Sequence, residues 1–183
     1  MKVLNVGCGY CTLDQNPYAG ETFENWEEIR LDINSDAKPD IVNDVTDMKD
    51  VQNSSFDAIY SQHLLEHLFT EDVDVALNEF YRVLKKGGFV ALFLPDFDKV
   101  VQEILKDGDL ERVLYVSTGG VIRVIDVIFG YEKAIHAGNH YMMHKTAFNE
   151  KTIRNKLDKA GFCNIKIIKD LYDMWITAYK IGN

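Results

Sequence analysis

Residues 3–9, Val3-Leu4-Asn5-Val6-Gly7-Cys8-Gly9, form a short apolar run that stops at two closely spaced glycines. Such a run is typical of a buried strand. The glycines permit a tight turn that brings the backbone close to a ligand at the carboxyl end of that strand. Asp32 ends the next strand-like segment, where an acidic side chain can accept hydrogen bonds from both ribose hydroxyls of a nucleotide. One interpretation of these two features is a Rossmann-like α/β sheet with a nucleotide-type ligand at its edge, and the other is an ordinary tight turn with a surface aspartate.

Further strand-like and helical segments alternate along the chain. Apolar patterning predicts strands at 28–33, 41–42, 56–60, 89–94, 164–168 and 174–179. One helix is predicted from Thr70 to the Lys85-Lys86-Gly87 stop signal, and another from the Asn149 cap to Gly161. This alternation predicts a three-layer sandwich around a mostly parallel seven-stranded sheet, whose closing hairpin makes the last strand antiparallel.

Residues 97–146 are too long for an ordinary crossover between the fifth strand and the last helix. We predict that this stretch is a helical insertion, which would serve as a lid or substrate-binding element in a single domain spanning 1–183. A dimer contact is the alternative use of the same insertion. By contrast, residues 10–27 contain Pro17 and Gly20 without apolar periodicity, which predicts a short or missing first helix.

Bulk composition narrows the classes of partner. The chain has 183 residues, a net charge of −9 and no basic run longer than Lys85-Lys86. Neither nucleic acid nor an anionic membrane is therefore an expected partner, because both attract clustered positive charge. The odd number of cysteines indicates a reducing compartment. With no signal-peptide pattern and no apolar stretch near the ~20 residues that span a bilayer, we predict a cytoplasmic protein.

Motifs after the third and fourth strands extend the pattern begun at Gly7. Asn43-Asp44-Val45 and Ser61-Gln62-His63 each follow a strand, and Arg82-Val83-Leu84-Lys85-Lys86-Gly87-Gly88 precedes the fifth. With these elements, the chain resembles the class I S-adenosylmethionine-dependent methyltransferases from Val3 to Tyr179. More narrowly, it is similar to small bacterial methyltransferases associated with polysaccharide or cell-surface biosynthesis. The pieces that carry this narrower resemblance are Leu4-Asn5-Val6-Gly7-Cys8-Gly9, Pro39-Asp40-Ile41-Val42, His67-Leu68, Leu94-Pro95-Asp96 and His144-Lys145-Thr146-Ala147-Phe148.

The resemblance assigns S-adenosyl-L-methionine as cofactor and gives each motif a part in binding it. Gly7, Cys8 and Gly9 would hold its methionine end and Asp32 its ribose. The adenine would lie at Asp44 and Val45, and the sulfonium would lie near 61–63. The full set of expected cofactor-binding residues is Val6, Gly7, Cys8, Gly9, Asp32, Ile33, Asp44, Val45, Ser61, Gln62 and His63. Cys11 stands where many relatives carry a third glycine.

The acceptor is expected to be a small molecule, for which a saccharide or nucleotide sugar is one candidate, methylated on oxygen or nitrogen. Hydroxyl acceptors benefit from a general base, and histidine suits that task near neutral pH. The candidates are His63, His67, His140 and His144, and Glu66 could orient one of them. A protein that binds the cofactor without transferring its methyl group is the alternative function.

Two short motifs in the same region are typical of other chemistries, namely thiol redox catalysis and zinc-dependent hydrolysis. Cys8 and Cys11 form a Cys-x-x-Cys pair, but the segment lacks the sustained helix that activates such thiols. His63-Leu64-Leu65-Glu66-His67 matches the H-x-x-E-H pattern of zinc hydrolases, with Glu66 as base. No motif supplies a third ligand, so no metal is predicted.

Overall fold

The computed structural model describes residues 1–16, 19, 22–117 and 119–182. Within them, nine strands form a large sheet and a separate hairpin. The strands are β1 Lys2–Val6, β2 Glu27–Asp32, β3 Ile41–Val42, β4 Phe56–Gln62, β5 Leu84–Pro95, β6 Val113–Ser117, β7 Gly120–Arg123, β8 Phe162–Lys169 and β9 Asp173–Lys180. The α-helices are α1 Thr70–Val83, α2 Phe97–Asp107, α3 Val124–Phe129, α4 Glu132–His136 and α5 Glu150–Lys159.

The main sheet has seven strands in the order β3-β2-β1-β4-β5-β9-β8. Neighbouring strands pair in parallel from β3 to β5, whereas β9 pairs antiparallel with both β5 and β8. The predicted fold class, a mostly parallel Rossmann-like sheet with an antiparallel last strand, is confirmed. The order changes direction beside β1 and β4, which is where open α/β sheets bind ligands.

One face of the sheet is covered by α1 and α5. The buried positions of α1 are Val73, Ala76, Leu77, Phe80 and Val83, which lie on a single stripe at helical spacing. Helix α5 adds Ile153 and Leu157 to the same core cluster. Asn149 caps α5 by accepting a hydrogen bond from the backbone N–H of Thr152 at 2.9 Å, as predicted.

The opposite face is covered by Leu13, Ala19, Phe23 and Trp26, and the described part of that segment contains no α-helix. Leu13 begins a three-residue 3-10 helix, and Phe23 packs with Trp26 and with residues of β1 and β4. The prediction of a short or missing first helix holds for these residues. Pro17 and Gly20, on which it depended, lie outside the described residues.

The end of α1 corrects the sequence-based prediction. The helix ends at Val83, and Leu84 already pairs with Phe56 as the first residue of β5. The backbone N–H groups of Ser54 and Ser55 donate to the carbonyls of Arg82 and Val83, respectively. Because the neighbouring loop satisfies these carbonyls, the helix ends before the two lysines. Gly87 and Gly88 consequently lie inside β5. A Cβ atom at Gly88 would come within 2.8 Å of the Asp57 carbonyl oxygen, which explains the glycine.

The segment 97–146 contains α2, α3 and α4 together with the β6–β7 hairpin, which was not predicted. Within this insertion, which the sequence predicts to be helical, Gly120–Arg123 form strand β7, and α3 begins only at Val124. Val100, Val124 and Val127 form a small core of its own. No helix in the described part of the chain combines the length and apolar character needed to cross a membrane.

Candidate active site

The turn after β1 is held in place by β2. The backbone of Gly7 and Gly9 has positive φ angles of 66° and 52°. Gly7 N–H donates to the carbonyl of Leu31 at 2.8 Å, and the Gly9 carbonyl accepts from Arg30 Nη2 at 2.6 Å. Arg30 was not singled out by the sequence, because a strand arginine gives no sign of the distant carbonyl that it meets.

Asp32 fastens this turn to the end of β2. Its Oδ2 accepts from Gly9 N–H at 2.8 Å, and its Oδ1 accepts from Asn34 N–H at 2.8 Å. A carboxylate oxygen has two lone pairs, so each oxygen retains capacity for a further donor. The side chain is half-buried, and its geometry leaves it able to accept hydroxyl groups at the sheet edge.

The expected cofactor-binding residues that follow β2 and β3 divide into two kinds. Ile33 is exposed and apolar, which suits contact with a flat ring, whereas the side chain of Val45 is buried in the main core. Any ligand contact by Val45 would therefore use its backbone. Asp44 is exposed, and its Oδ1 accepts from both the N–H and the hydroxyl of Thr46. Its carboxylate thus organises its own turn.

The sequence predicted Ser61 and Gln62 to follow the fourth strand. In the structure, both residues lie within β4. Ser61 pairs with Val6 in the parallel register and is buried, and its Oγ lacks a hydrogen-bond partner among the described residues. Gln62 Oε1 accepts from the Tyr60 hydroxyl at 2.8 Å and from Asn16. Gln62 is therefore tied to the aromatic face of the sheet.

The two cysteines beside this turn lack the features of a redox pair. Both are free; Cys8 is buried and Cys11 is exposed. Burial raises the pKa of the Cys8 thiol to about 11, although nearby Arg30 opposes that rise. Because the thiolate is the reactive form, the site disfavours thiol chemistry at Cys8.

His63 stands at the carboxyl end of β4 and is paired with a buried carboxylate. Its backbone has a φ of 47°, and its N–H donates to the carbonyl of Phe93. Its Nδ1 lies 3.1 Å from Glu66 Oε1, and Glu66 is buried. Burial opposes the charge on both groups, but their pairing outweighs it, raising the pKa of His63 and lowering that of Glu66.

His67 and His144 complete a cluster around Glu66. Their ring centroids are 4.9 Å apart, although the two residues belong to distant parts of the sequence. His144 Nδ1 is 2.8 Å from the Val127 carbonyl oxygen, and His67 Nδ1 is 3.2 Å from that of Met143. Burial lowers the pKa of His144.

The H-x-x-E-H pattern is not presented on a helix. Only Leu65–His67 form a 3-10 turn, and His63 precedes it. The structure therefore pairs His63 with Glu66 instead of aligning it with His67 as a second ligand. His140 is exposed and is not part of the Glu66, His67 and His144 group. Gly138, with a φ of 96°, separates it from α4, so His136, His140 and His144 do not share one helix.

Asp173, at the start of β9, is a group near His63 that the sequence did not reveal. It pairs with Pro95 at the end of β5. Burial raises the pKa of its carboxyl to about 6, while the charge of His63 acts in the opposite direction. An acidic residue in a hairpin strand carries no local signal of such a position.

Two cavities border these elements. A small one of about 10 Å³ is lined by Glu66, His144 and Phe97 among others, and it has room for roughly one water molecule or ion. A wider one of about 680 Å³ opens beside Leu13 and Trp26, on the other face of the sheet. Most of its lining residues come from 13–16 and 23–26, on either side of a stretch of sequence in which positions 17, 18, 20 and 21 lie outside the described residues.

Comparison with known proteins identifies the class of fold. A family model described as a methyltransferase domain matches residues 4–92, just under half of the chain. No curated protein sequence matches the chain. The matched residues include most of β1, all of β2 to β4 and most of β5. They therefore include the turn at Gly7 as well as Asp32 and His63.

Solved structures match over nearly the whole chain. A SAM-dependent methyltransferase from Archaeoglobus fulgidus aligns with a TM-score of 0.61 and 18% identity, covering 98% of this chain and 86% of that one. A SAM-dependent methyltransferase from Methanosarcina mazei aligns with a TM-score of 0.61 and 15% identity, covering 100% of this chain and 93% of that one. An O-methyltransferase family protein from Burkholderia thailandensis aligns with a TM-score of 0.65 and 12% identity. The alignment covers 100% of this chain but only 51% of the length of that protein. The fold is that of the methyltransferases.

Proposed function

We propose that this protein is an S-adenosylmethionine-dependent methyltransferase that acts on a small molecule. The observation that carries the proposal is the Gly7–Gly9 turn, fastened to Asp32 at the carboxyl edge of the sheet, beside His63. A methyltransferase-domain match over 4–92 supports it.

The cofactor would lie across the ends of β1, β2 and β4. The backbone of the turn, with Val6 and Cys8, would face the methionine end, and Asp32 would accept from the ribose hydroxyls. Ile33 would cover the adenine, with Asp44 and the Val45 backbone beside it. The sulfonium would then point toward His63, with Ser61 and Gln62 behind it in β4.

Methyl transfer is a displacement at an already activated carbon, so the protein mainly positions the acceptor and excludes water. His63 is the favoured general base because Glu66 orients its ring at 3.1 Å. His67 and His144 would line the same acceptor site, and His140 stays a further candidate. The insertion 97–146 would cover the acceptor as a lid within a single domain.

The resemblance to methyltransferases of cell-surface biosynthesis favours a saccharide or nucleotide-sugar acceptor. The methyl group would be transferred to an oxygen or a nitrogen atom of that acceptor. A cytoplasmic location and the lack of a nucleic-acid partner belong to the same proposal, whereas a homodimeric contact is the alternative use of the insertion. The acidic net charge of −9 supports the lack of a nucleic-acid partner.

Cofactor affinity tests the proposal through Asp32. Hydrogen bonds to a charged acceptor contribute roughly 1.5–3 kcal/mol each, so Asp32→Ala should weaken S-adenosylmethionine binding on the order of tenfold to a hundredfold. Calorimetry should be run on this variant, on Asp32→Asn and on Asp36→Ala, an exposed aspartate in the following turn that serves as control. Unchanged affinity in a folded Asp32→Ala protein would remove the cofactor site.

Transfer itself is tested by methyl-donor consumption against nucleotide sugars, free saccharides and small amines. We expect turnover with a member of this panel. Cofactor binding without turnover on any acceptor would favour the binding-only alternative.

A further inference from the structure

We propose that Glu66, His67 and His144 bind a divalent transition-metal ion of the zinc type. One ligand atom from each of the three residues lies within 4.8 Å of the other two. This inference goes beyond methyl transfer and does not rest on it. It also departs from the sequence-based expectation of no metal, which rested on the lack of a third ligand.

The fold supplies that third ligand from the far end of the insertion. The backbone N–H groups of Lys145 and Thr146 both donate to the carbonyl of Glu66, at 2.8 and 3.2 Å. These bonds bring His144 against His67, with the ring planes inclined at 65°. The position of the third ligand is therefore fixed by main-chain contacts on either side of the cluster.

Both imidazoles are held in a tautomer that leaves Nε2 able to bind a metal ion. A carbonyl oxygen can only accept a hydrogen bond, so Nδ1 of His67 and of His144 must each carry the proton that they donate. In the neutral ring, this leaves Nε2 with a free lone pair. Metal-binding histidines usually have their second nitrogen fixed by such a carbonyl or by a carboxylate.

Glu66 contributes a buried carboxylate oxygen without a partner. Its side chain is 2% exposed, and His63 donates to Oε1. Oε2 has no hydrogen-bond partner among the described residues. An unsatisfied buried charged oxygen is costly, and a cation at this position would satisfy it. His63 then takes the part of an outer partner that orients the ligand.

The donor set selects the kind of ion. Two imidazoles and one carboxylate match catalytic zinc sites, in which a fourth position remains open, and the facial triad of iron(II) proteins. Calcium and magnesium prefer oxygen ligands and fit this set poorly. The small cavity beside Glu66 and His144 has room for an ion or its bound water.

The test measures binding of Zn²⁺ and Co²⁺ to the purified full chain after chelator treatment and dialysis. We expect one ion per chain and a visible Co²⁺ absorption band typical of four or five ligands. Loss of an outer partner costs metal affinity roughly 10–100-fold, so loss of a ligand in Glu66→Gln, His67→Ala or His144→Ala should cost about a hundredfold or more. His136→Ala removes an exposed histidine outside the cluster and should leave affinity unchanged.

A second measurement on the unmodified protein keeps the test decisive if a variant fails to fold. Nuclear magnetic resonance of the histidine rings should show Nε2 of two of the five histidines shifting upon Zn²⁺ addition. Absence of stoichiometric binding, or binding that survives all three ligand substitutions, would overturn the proposal. Because the readout is metal binding, its failure would leave methyl transfer untouched.

Discussion

Gly7 and Gly9 show how two residues with the same backbone preference can differ in their surroundings. Both glycines have positive φ angles, which residues with a Cβ atom rarely adopt. A Cβ atom at Gly7 would approach Leu64 Cδ1 to 2.8 Å, whereas a Cβ atom at Gly9 would have no atom of another described residue within 4 Å apart from its chain neighbours. Gly7 is thus required by packing as well as by conformation.

Alanine substitution should separate these two effects. Gly9→Ala is expected to cost about 1–2 kcal/mol of unfolding free energy from the left-handed backbone alone. Gly7→Ala adds a clash, and overpacking typically costs about 1–3 kcal/mol more. Denaturant unfolding of both variants measures the difference, and Gly9→Ala is the matched control. Equal destabilisation of the two would contradict the packing role of Leu64.

At the scale of elements, Arg82 joins the end of α1 to the loop that leads into β4. Its Nε and Nη2 donate to Glu79, and its Nη1 and Nη2 donate to the carbonyls of Val51 and Met48 at 2.9 and 2.8 Å. Glu79 in turn accepts from the backbone N–H of Met48. The Arg82 guanidinium therefore holds the loop against the end of α1. That helix end is the one that differs from the sequence-based prediction.

Replacing Arg82 by Met should cost about 2–4 kcal/mol at neutral pH, because several partly buried acceptors lose their donor. The hydrogen bond from Arg82 holds the pKa of Glu79 below its ordinary value of 4.5. Stability from this pairing is present above pH 4.5 and is lost as pH falls through the lower folded-state pKa.

The stability difference between the native protein and Arg82→Met should therefore narrow in acid. Urea unfolding at a series of pH values would measure it. Lys49→Met, which removes an exposed ion pair with Asp47, is the control and should change little. A difference that stays constant below pH 4.5 would argue against a charged Glu79 as the partner.

At the scale of the whole molecule, the insertion begins and ends at the same place. Phe97 N–H donates to the carbonyl of Phe148, and Asn149 Nδ2 donates to Asp98 at 3.1 Å. With the contacts from 145 and 146 to Glu66, this anchors the insertion beside the carboxyl edge of the sheet. The proposed cofactor site and the residues that the insertion would bring to the proposed acceptor site would thus come from different parts of the fold.

This division predicts that His144→Ala lowers methyl turnover more than cofactor affinity. General-base or positioning groups typically contribute about 10²–10⁴-fold to rate, so we expect at least a tenfold loss of turnover. Cofactor affinity from calorimetry should stay within about twofold, since the cofactor is held from the sheet edge. His136→Ala, which removes an exposed histidine outside the cluster, is the comparison variant. A parallel fall in affinity and turnover would place His144 on the cofactor instead.

The main sheet and the glycine turn at its carboxyl edge could be predicted from the sequence. Hydrophobic periodicity is local, so strands such as β1 and β5 and the buried face of α1 could be read from neighbouring residues. The Gly7–Gly9 turn and Asp32 were recognisable because both lie at strand ends at a fixed spacing. Asn149 was recognisable as a cap for the same local reason.

The tertiary structure alone decided which polar groups meet. His67 contacts the Met143 carbonyl across 76 positions of sequence, and Lys156 contacts Asp74 across 82. No local pattern encodes such contacts, because they depend on where the insertion and the last helix return to the sheet. The same applies to Asp173 beside His63 and to the early end of α1, where loop N–H groups replace the lysine and glycine signals. The third member of the Glu66 cluster was visible in the sequence as a histidine, and only the folded chain brought it to its partners.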